Sequence, residues 1–158
     1  MRKNGMRARA ACLAAAVALP MATPAQAMYS QNEAESVRKL DIMLMVSSLR
    51  CRFGPDDFQA DYQRFSTQHL PTLNEAYRAL HDILARTHGA KRATRMLDDI
   101  SVSMANLYGQ GHPWLGCAEL KSVTRDLADK RQGDKLLVEA NYLLAERRPA
   151  GTTLALRE

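Results

Sequence analysis

Side chains able to do chemistry are few in this chain, and their spacing excludes most of what they could share. The four histidines are His69, His81, His88 and His112. His81 and His88 are seven residues apart and would share a helix face. Seven helical residues rise about 10 Å, too far for one metal ion whose ligands sit at about 2 Å. No His pair stands at four-residue spacing, and neither HExxH nor the C-x-x-C-H of covalent haem occurs. His69 falls on an apolar stripe, where it is expected at the core or its boundary with a local hydrogen bond. Met43 and Met45 could suggest copper, but residues two apart on a helix diverge by about 200°, so they are expected to pack rather than ligate. In Asp56/Asp57 and Asp98/Asp99 the neighbours diverge by about 100°, so neither pair shares a proton by construction. No G-x-S-x-G elbow activates Ser47, Ser48, Ser101 or Ser103. No catalytic residue, metal or cofactor is expected.

Two stretches are left as candidate binding residues. The first is "YGQGHPWLGC", Tyr108 to Cys117, with the only Trp of the chain. Tyr108, His112 and Trp114 could line a pocket, provided an acid or base stands near His112. The stretch has G-x-G but neither a preceding strand nor a Lys-Ser/Thr follower, so it is no phosphate loop. Much of it also reads as a corner. Gly109 and Gly111 end one helix, Pro113 starts the next, Trp114 folds over the core and Gly116 lets helices approach. His112 is the side chain a plain corner does not require. The second stretch is "ARTHGAKRATR", with Arg86, His88, Lys91, Arg92 and Arg95. It could dock an anionic partner (a lipid headgroup, a polyanion or an acidic protein), or be a solvated turn partly neutralised by Asp98 and Asp99.

The elements that must position these groups are helical, because no run of alternating β-branched residues occurs. A first helix is expected over about Glu33 to Cys51. Ser30 with Glu33, or Asn32 with Glu35, forms its capping box, and Val37, Leu40, Leu44, Ser48 and Cys51 share one face. "IMLMV", Ile42 to Val46, is apolar all round, which predicts the central, most buried helix. Gly54 as a left-handed cap and Pro55 would end it. A long second helix starts near Asp56. Its stripe of Phe58, Tyr62, Phe65, His69, Leu73, Tyr77, Leu80 and Leu84 keeps phase across Pro71, which predicts one helix kinked there, ending at Gly89. A third follows from about Lys91 to Tyr108 with Met96, Ile100, Met104 and Leu107 inward. A fourth starts at Pro113 with Trp114, Cys117, Leu120, Thr124 and Leu127 on one stripe. A last helix, about Lys135 to Glu146, carries Leu136, Leu137, Ala140 and Leu144. The fold class is all-α, a bundle of four to five helices in a single domain over residues 28–148, with a flexible tail over 149–158.

Residues 1–27 read as a cleaved secretory signal peptide. Arg2, Lys3, Arg7 and Arg9 precede a short apolar run, Ala11 to Leu19, and "AQA" ends at Ala27. Cys12 precedes most of that run, the wrong place for a lipid anchor. Four of the 22 Lys/Arg and none of the 17 Asp/Glu lie in this segment, so residues 28–158 hold 18 basic against 17 acidic side chains, a net of +1. Nucleic acid is therefore not an expected partner, and no later run is apolar enough to span a membrane. In a periplasmic or secreted protein the two remaining cysteines, Cys51 and Cys117, are expected to form a structural disulfide.

The segments "VRKLDIMLMVSSLRCRFGPDDFQADY" and "LYGQGHPWLGCAELKSVTRDLA" resemble a group of small exported helical proteins from alphaproteobacterial-type bacteria, over roughly Ser36 to Ala128. Some members of that group carry the label S-adenosyl-L-homocysteine hydrolase. No strand–GxGxxG–helix unit for the NAD of that enzyme occurs in this sequence, and none of its active-site motifs can be matched, so no site residue follows from the resemblance. The function expected is that of an exported, non-enzymatic binding or interaction protein of the cell envelope, with an envelope protein or an anionic ligand as partner. A small exported hydrolase or ligand-binding protein with a site near Tyr108, His112 and Trp114 is the alternative. An acid- or envelope-stress chaperone is a second.

Overall fold

A computed structural model describes residues 29–129 and 133–145. The signal peptide expected over 1–27 and the tail expected over 149–158 lie outside the described residues. Those described form six helices and no strand: α1 Gln31–Cys51, α2 Gln59–Gln68, α3 Leu70–His88, α4 Ala90–Gly109, α5 Cys117–Asp129 and α6 Gly133–Leu144. None is long and apolar enough to cross a membrane.

α1 begins where its capping box places it. The Glu33 amide donates to Ser30 Oγ at 3.3 Å, and the Ser30 amide donates to Glu33 Oε2 at 2.8 Å. Leu40, Ile42, Met43 and Leu44 are buried, and α1 packs against all five other helices. The apolar belt is not complete, since Met45 is exposed while Met43 is fully buried. Gly54 does not take the left-handed conformation. Among the described residues the glycines with positive φ are Gly89 (80°) and Gly111 (122°), and α1 closes at Arg52 in right-handed helical geometry.

The expected kinked second helix is two helices, and this accounts for a sixth element. The chain leaves helical geometry at His69, with φ −102° and ψ 9°. Pro71 has no N–H to offer and its ring conflicts with the carbonyl four residues back. His69 is buried, with its ring Nε2 2.9 Å from the Leu127 carbonyl of α5. That bond draws the joint inward. Pro71 then falls in the first turn of α3, where its missing N–H costs nothing. α2 starts at Gln59 rather than Asp56, because Asp57 Oδ1 accepts the Gln59 amide at 2.9 Å and so stands outside the helix.

α4 buries Ala93, Leu97, Met104 and Tyr108, with Met96 and Ile100 half-buried. Leu107, expected inward, is 58 % exposed. The inward line therefore runs one residue off the one expected near the C-terminal end, and Tyr108 takes the core position. α6 starts two residues earlier than expected, and its buried side chains include Leu136, Ala140 and Leu143, with Leu137 and Leu144 at the edge.

Two clusters make the core. Leu40, Met43, Leu44, Phe58, Phe65, Leu120, Leu127 and Leu136 belong to one, and Val37, Ala76, Leu80, Leu84, Ala93 and Leu97 to the other. α1 contributes to both and is the axis around which they form. Cys51 and Cys117 are disulfide-bonded, joining the last residue of α1 to the first of α5. Farther along α5, Asp61 of α2 accepts from Arg125 Nε at 3.4 Å and Nη2 at 3.2 Å.

Candidate functional site

The corner Tyr108–Cys117 is built from backbone needs. Gly111 adopts φ 122°, and a Cβ there would stand 3.0 Å from Arg50 Nε. Gly111→Ala is therefore expected to destabilise the fold by about 1–2 kcal/mol through both backbone and contact, measured as a lower denaturation midpoint. A variant as stable as the parent would show that this turn relaxes freely. α5 does not start at Pro113. The Trp114 amide donates to His112 Nδ1 (3.4 Å) and the Gly116 amide to Glu119 Oε2 (3.0 Å), so side chains take the donors a first helical turn would have left open. Gly116 leaves room for that carboxylate rather than for another helix, because a Cβ would lie 2.9 Å from Glu119 Oε2.

His112 is buried within this corner. Its Nε2 is 3.0 Å from the Leu143 carbonyl of α6, which fixes Nε2 as the protonated nitrogen, since a carbonyl only accepts. Nδ1 then accepts from Trp114. Both ring nitrogens are thus engaged by main chain. The ring meets Trp114 edge-on at 4.7 Å and Tyr108 at 5.3 Å, and Trp114 meets Tyr142 of α6 at 5.3 Å. Burial lowers the His112 pKa below 6.5, partly offset by the Leu143 bond, and burial raises that of Tyr108. A cleft of about 390 Å³ lies alongside, lined by Arg50, Gln110, His112 and the two cysteines among others. Tyr108, His112 and Trp114 are thus brought together as a cluster of tilted and edge-on rings that meets α6 through Leu143 and Tyr142.

The basic stretch forms the α3–α4 turn. Arg86, His88, Lys91, Arg92 and Arg95 are all exposed. Among the described residues none of them is in an ion pair, and Asp98 and Asp99, also exposed, make none with them. Gly89 at the turn takes φ 80°, and no side chain caps α4.

A third cluster escaped the sequence reading. On α1, Asp41 Oδ1 accepts from the Tyr62 hydroxyl of α2 at 3.0 Å, and Asp41 Oδ2 lies 3.6 Å from Arg38 Nη1. Arg38 Nη2 donates to Ser101 of α4 at 3.2 Å, and its guanidinium stands 5.6 Å from the ring centre of Tyr77 on α3. Burial raises the Asp41 pKa, against the lowering by Tyr62 and Arg38, and burial with the adjacent Asp41 charge raises that of Tyr62. The only hint in the sequence is an Arg–Asp pair at i,i+3, which is indistinguishable from a surface ion pair.

Among the described residues, no three His, Cys, Asp or Glu side chains gather so as to hold a metal ion. Comparison with family models, with curated proteins and with solved structures gives no match.

Proposed function

We propose that this is an exported, non-enzymatic helical protein of the cell envelope, working in the periplasm, that binds a negatively charged partner through the α3–α4 turn. The observation that carries this reading is the set of exposed cations Arg86, Lys91, Arg92 and Arg95, with no ion pair among the described residues. Elsewhere Arg38, Lys39, Arg64 and Arg125 each stand within reach of a carboxylate; Arg50, Arg52, Arg78 and Lys121 do not, but among the described residues only this turn gathers four unpaired cations within ten positions. Lys91 and Arg92 also sit in the first turn of α4, which holds no acidic residue. Cations there oppose the helix dipole and weaken the helix, so stability alone gives no reason for them. Export is supported by the pattern of residues 1–27 and by a disulfide that suits an oxidising compartment.

Reversing two charges, Arg92→Glu with Arg95→Glu, is expected to reduce capture of envelope partners and co-sedimentation with vesicles containing phosphatidylglycerol by roughly tenfold or more at low salt. The thermal midpoint should hold or rise slightly, because acids then face the positive end of α4. Unchanged capture in both assays would remove this surface from consideration.

A further inference from the structure

A cleft of about 500 Å³ opens where the end of α2, the start of α3 and the middle of α1 meet. Arg38, Asp41, Tyr62, Ser66 and Thr67 form its polar side, with Arg38 and Asp41 its charged groups. Leu70, Leu73 and Tyr77 form its apolar side, with Asn74 between them. Its volume suits a small organic molecule.

The polar side is poorly explained by stability. An ion pair partly withdrawn from water contributes little net stability, because desolvation offsets the attraction. Here burial opposes the charged form of Asp41, and Arg38 Nε is buried without a hydrogen-bond partner among the described residues. Asp41 and Arg38 do hold partners in Tyr62 and Ser101, but each of those hydrogen bonds replaces one to water and contributes little net stability. Ionisable groups held in such a state and gathered in a cleft mark a binding site more often than a chance location does. They also remain reachable, since the side chains of Arg38 and Asp41 are 28 % and 17 % exposed.

Charge balance selects the ligand class. One guanidinium and one carboxylate give the cleft a dipole and no net charge. A simple anion would meet Arg38 but be repelled by Asp41 beside it, and a simple cation would meet the reverse. A molecule bearing a carboxylate and an ammonium on one carbon can lie antiparallel to the Arg38–Asp41 pair and satisfy both. Asn74 offers one more donor and acceptor. Leu70 (53 % exposed) and Tyr77 (38 % exposed) present uncovered apolar surface beside that pair, matching an apolar side chain on the same carbon. We propose that this cleft binds a free α-amino acid with an apolar side chain. It is separate from the basic turn, so either proposal can fail without the other.

Calorimetric titration of the exported chain with phenylalanine, phenethylamine and 3-phenylpropionate tests this directly. The zwitterion is expected to bind at least about tenfold more tightly than either single-charge analogue, one charged hydrogen-bond group being lost in each. Tyr77→Ala, at a half-exposed site, should weaken phenylalanine roughly tenfold with helix content unchanged. Arg38→Gln should abolish the preference over phenethylamine, and if it does not fold, the analogue series with Tyr77→Ala decides alone. No binding of phenylalanine at millimolar concentration, or equal binding of the amine or the acid, overturns the proposal.

Discussion

Replacing Cys51 and Cys117 together by serine is expected to lower the folding free energy by up to about 4 kcal/mol, the entropy of closing a loop of about 65 residues in the unfolded chain. The loss is large because of what the bridge spans. It joins the end of the helix at the centre of both clusters to the start of α5. α5 is otherwise held mainly by its contact with α2, through Leu120 and Leu127, the His69–Leu127 bond and the exposed Asp61–Arg125 pair. An exposed pair contributes only about 0–1 kcal/mol, so little compensates. Urea denaturation should show a lower midpoint with native helix content retained at zero denaturant. The slope should increase, because the unbridged chain exposes more surface on unfolding. Either single substitution, or the parent protein held in reductant, should reproduce the effect. A loss below about 1 kcal/mol would mean that the bundle, not the unfolded chain, absorbs the constraint.

Periodicity made the inward face of α1 legible, because Val37, Leu40, Leu44, Ser48 and Cys51 are all buried where a 3.6-residue repeat puts them. Its start was legible from Ser30 and Glu33, since a capping box is local chemistry. Breaks were less so. The stripe from Phe58 to Leu84 keeps its phase through Pro71, and phase alone does not distinguish a bend from two helices. The deciding contact is His69 with Leu127, 58 positions apart. The start of α5 was misplaced because Pro113 is a good first helical residue, whereas the carboxylate of Glu119, three positions beyond Gly116, sets the boundary. The Arg38–Asp41–Tyr62 cluster could not be read at all. Its members come from α1 and α2, and Tyr77 and Ser101 from α3 and α4. Only packing turns an i,i+3 pair into the floor of a cleft.

His112→Ala is expected to destabilise the protein by about 2–4 kcal/mol, since it empties a packed aromatic site and leaves the buried Leu143 carbonyl without its donor. The same ring should make the fold sensitive to mild acid. Burial lowers its folded-state pKa below 6.5, so the unfolded chain takes the proton more readily. The neutral ring's contribution is fully present above about pH 6.5, is lost as pH falls below that value, and levels off beneath the folded pKa. Protonation would also oblige Nδ1 to give up the Trp114 amide, loosening the corner from α6. Asp41 works in the opposite sense. Its folded-state pKa is raised above 3.8, so its share of stability increases as pH falls toward that value. The two are separable by substitution. His112→Gln keeps a donor for Leu143 but no titration. The stability difference between parent and His112→Gln, followed by urea denaturation from about pH 7.5 to pH 5, should hold near pH 7.5 and move against the parent below about pH 6.5. A difference that stays flat over that interval would show that the ring titrates alike in both states, and that the corner holds α6 by packing rather than by an imidazole kept neutral.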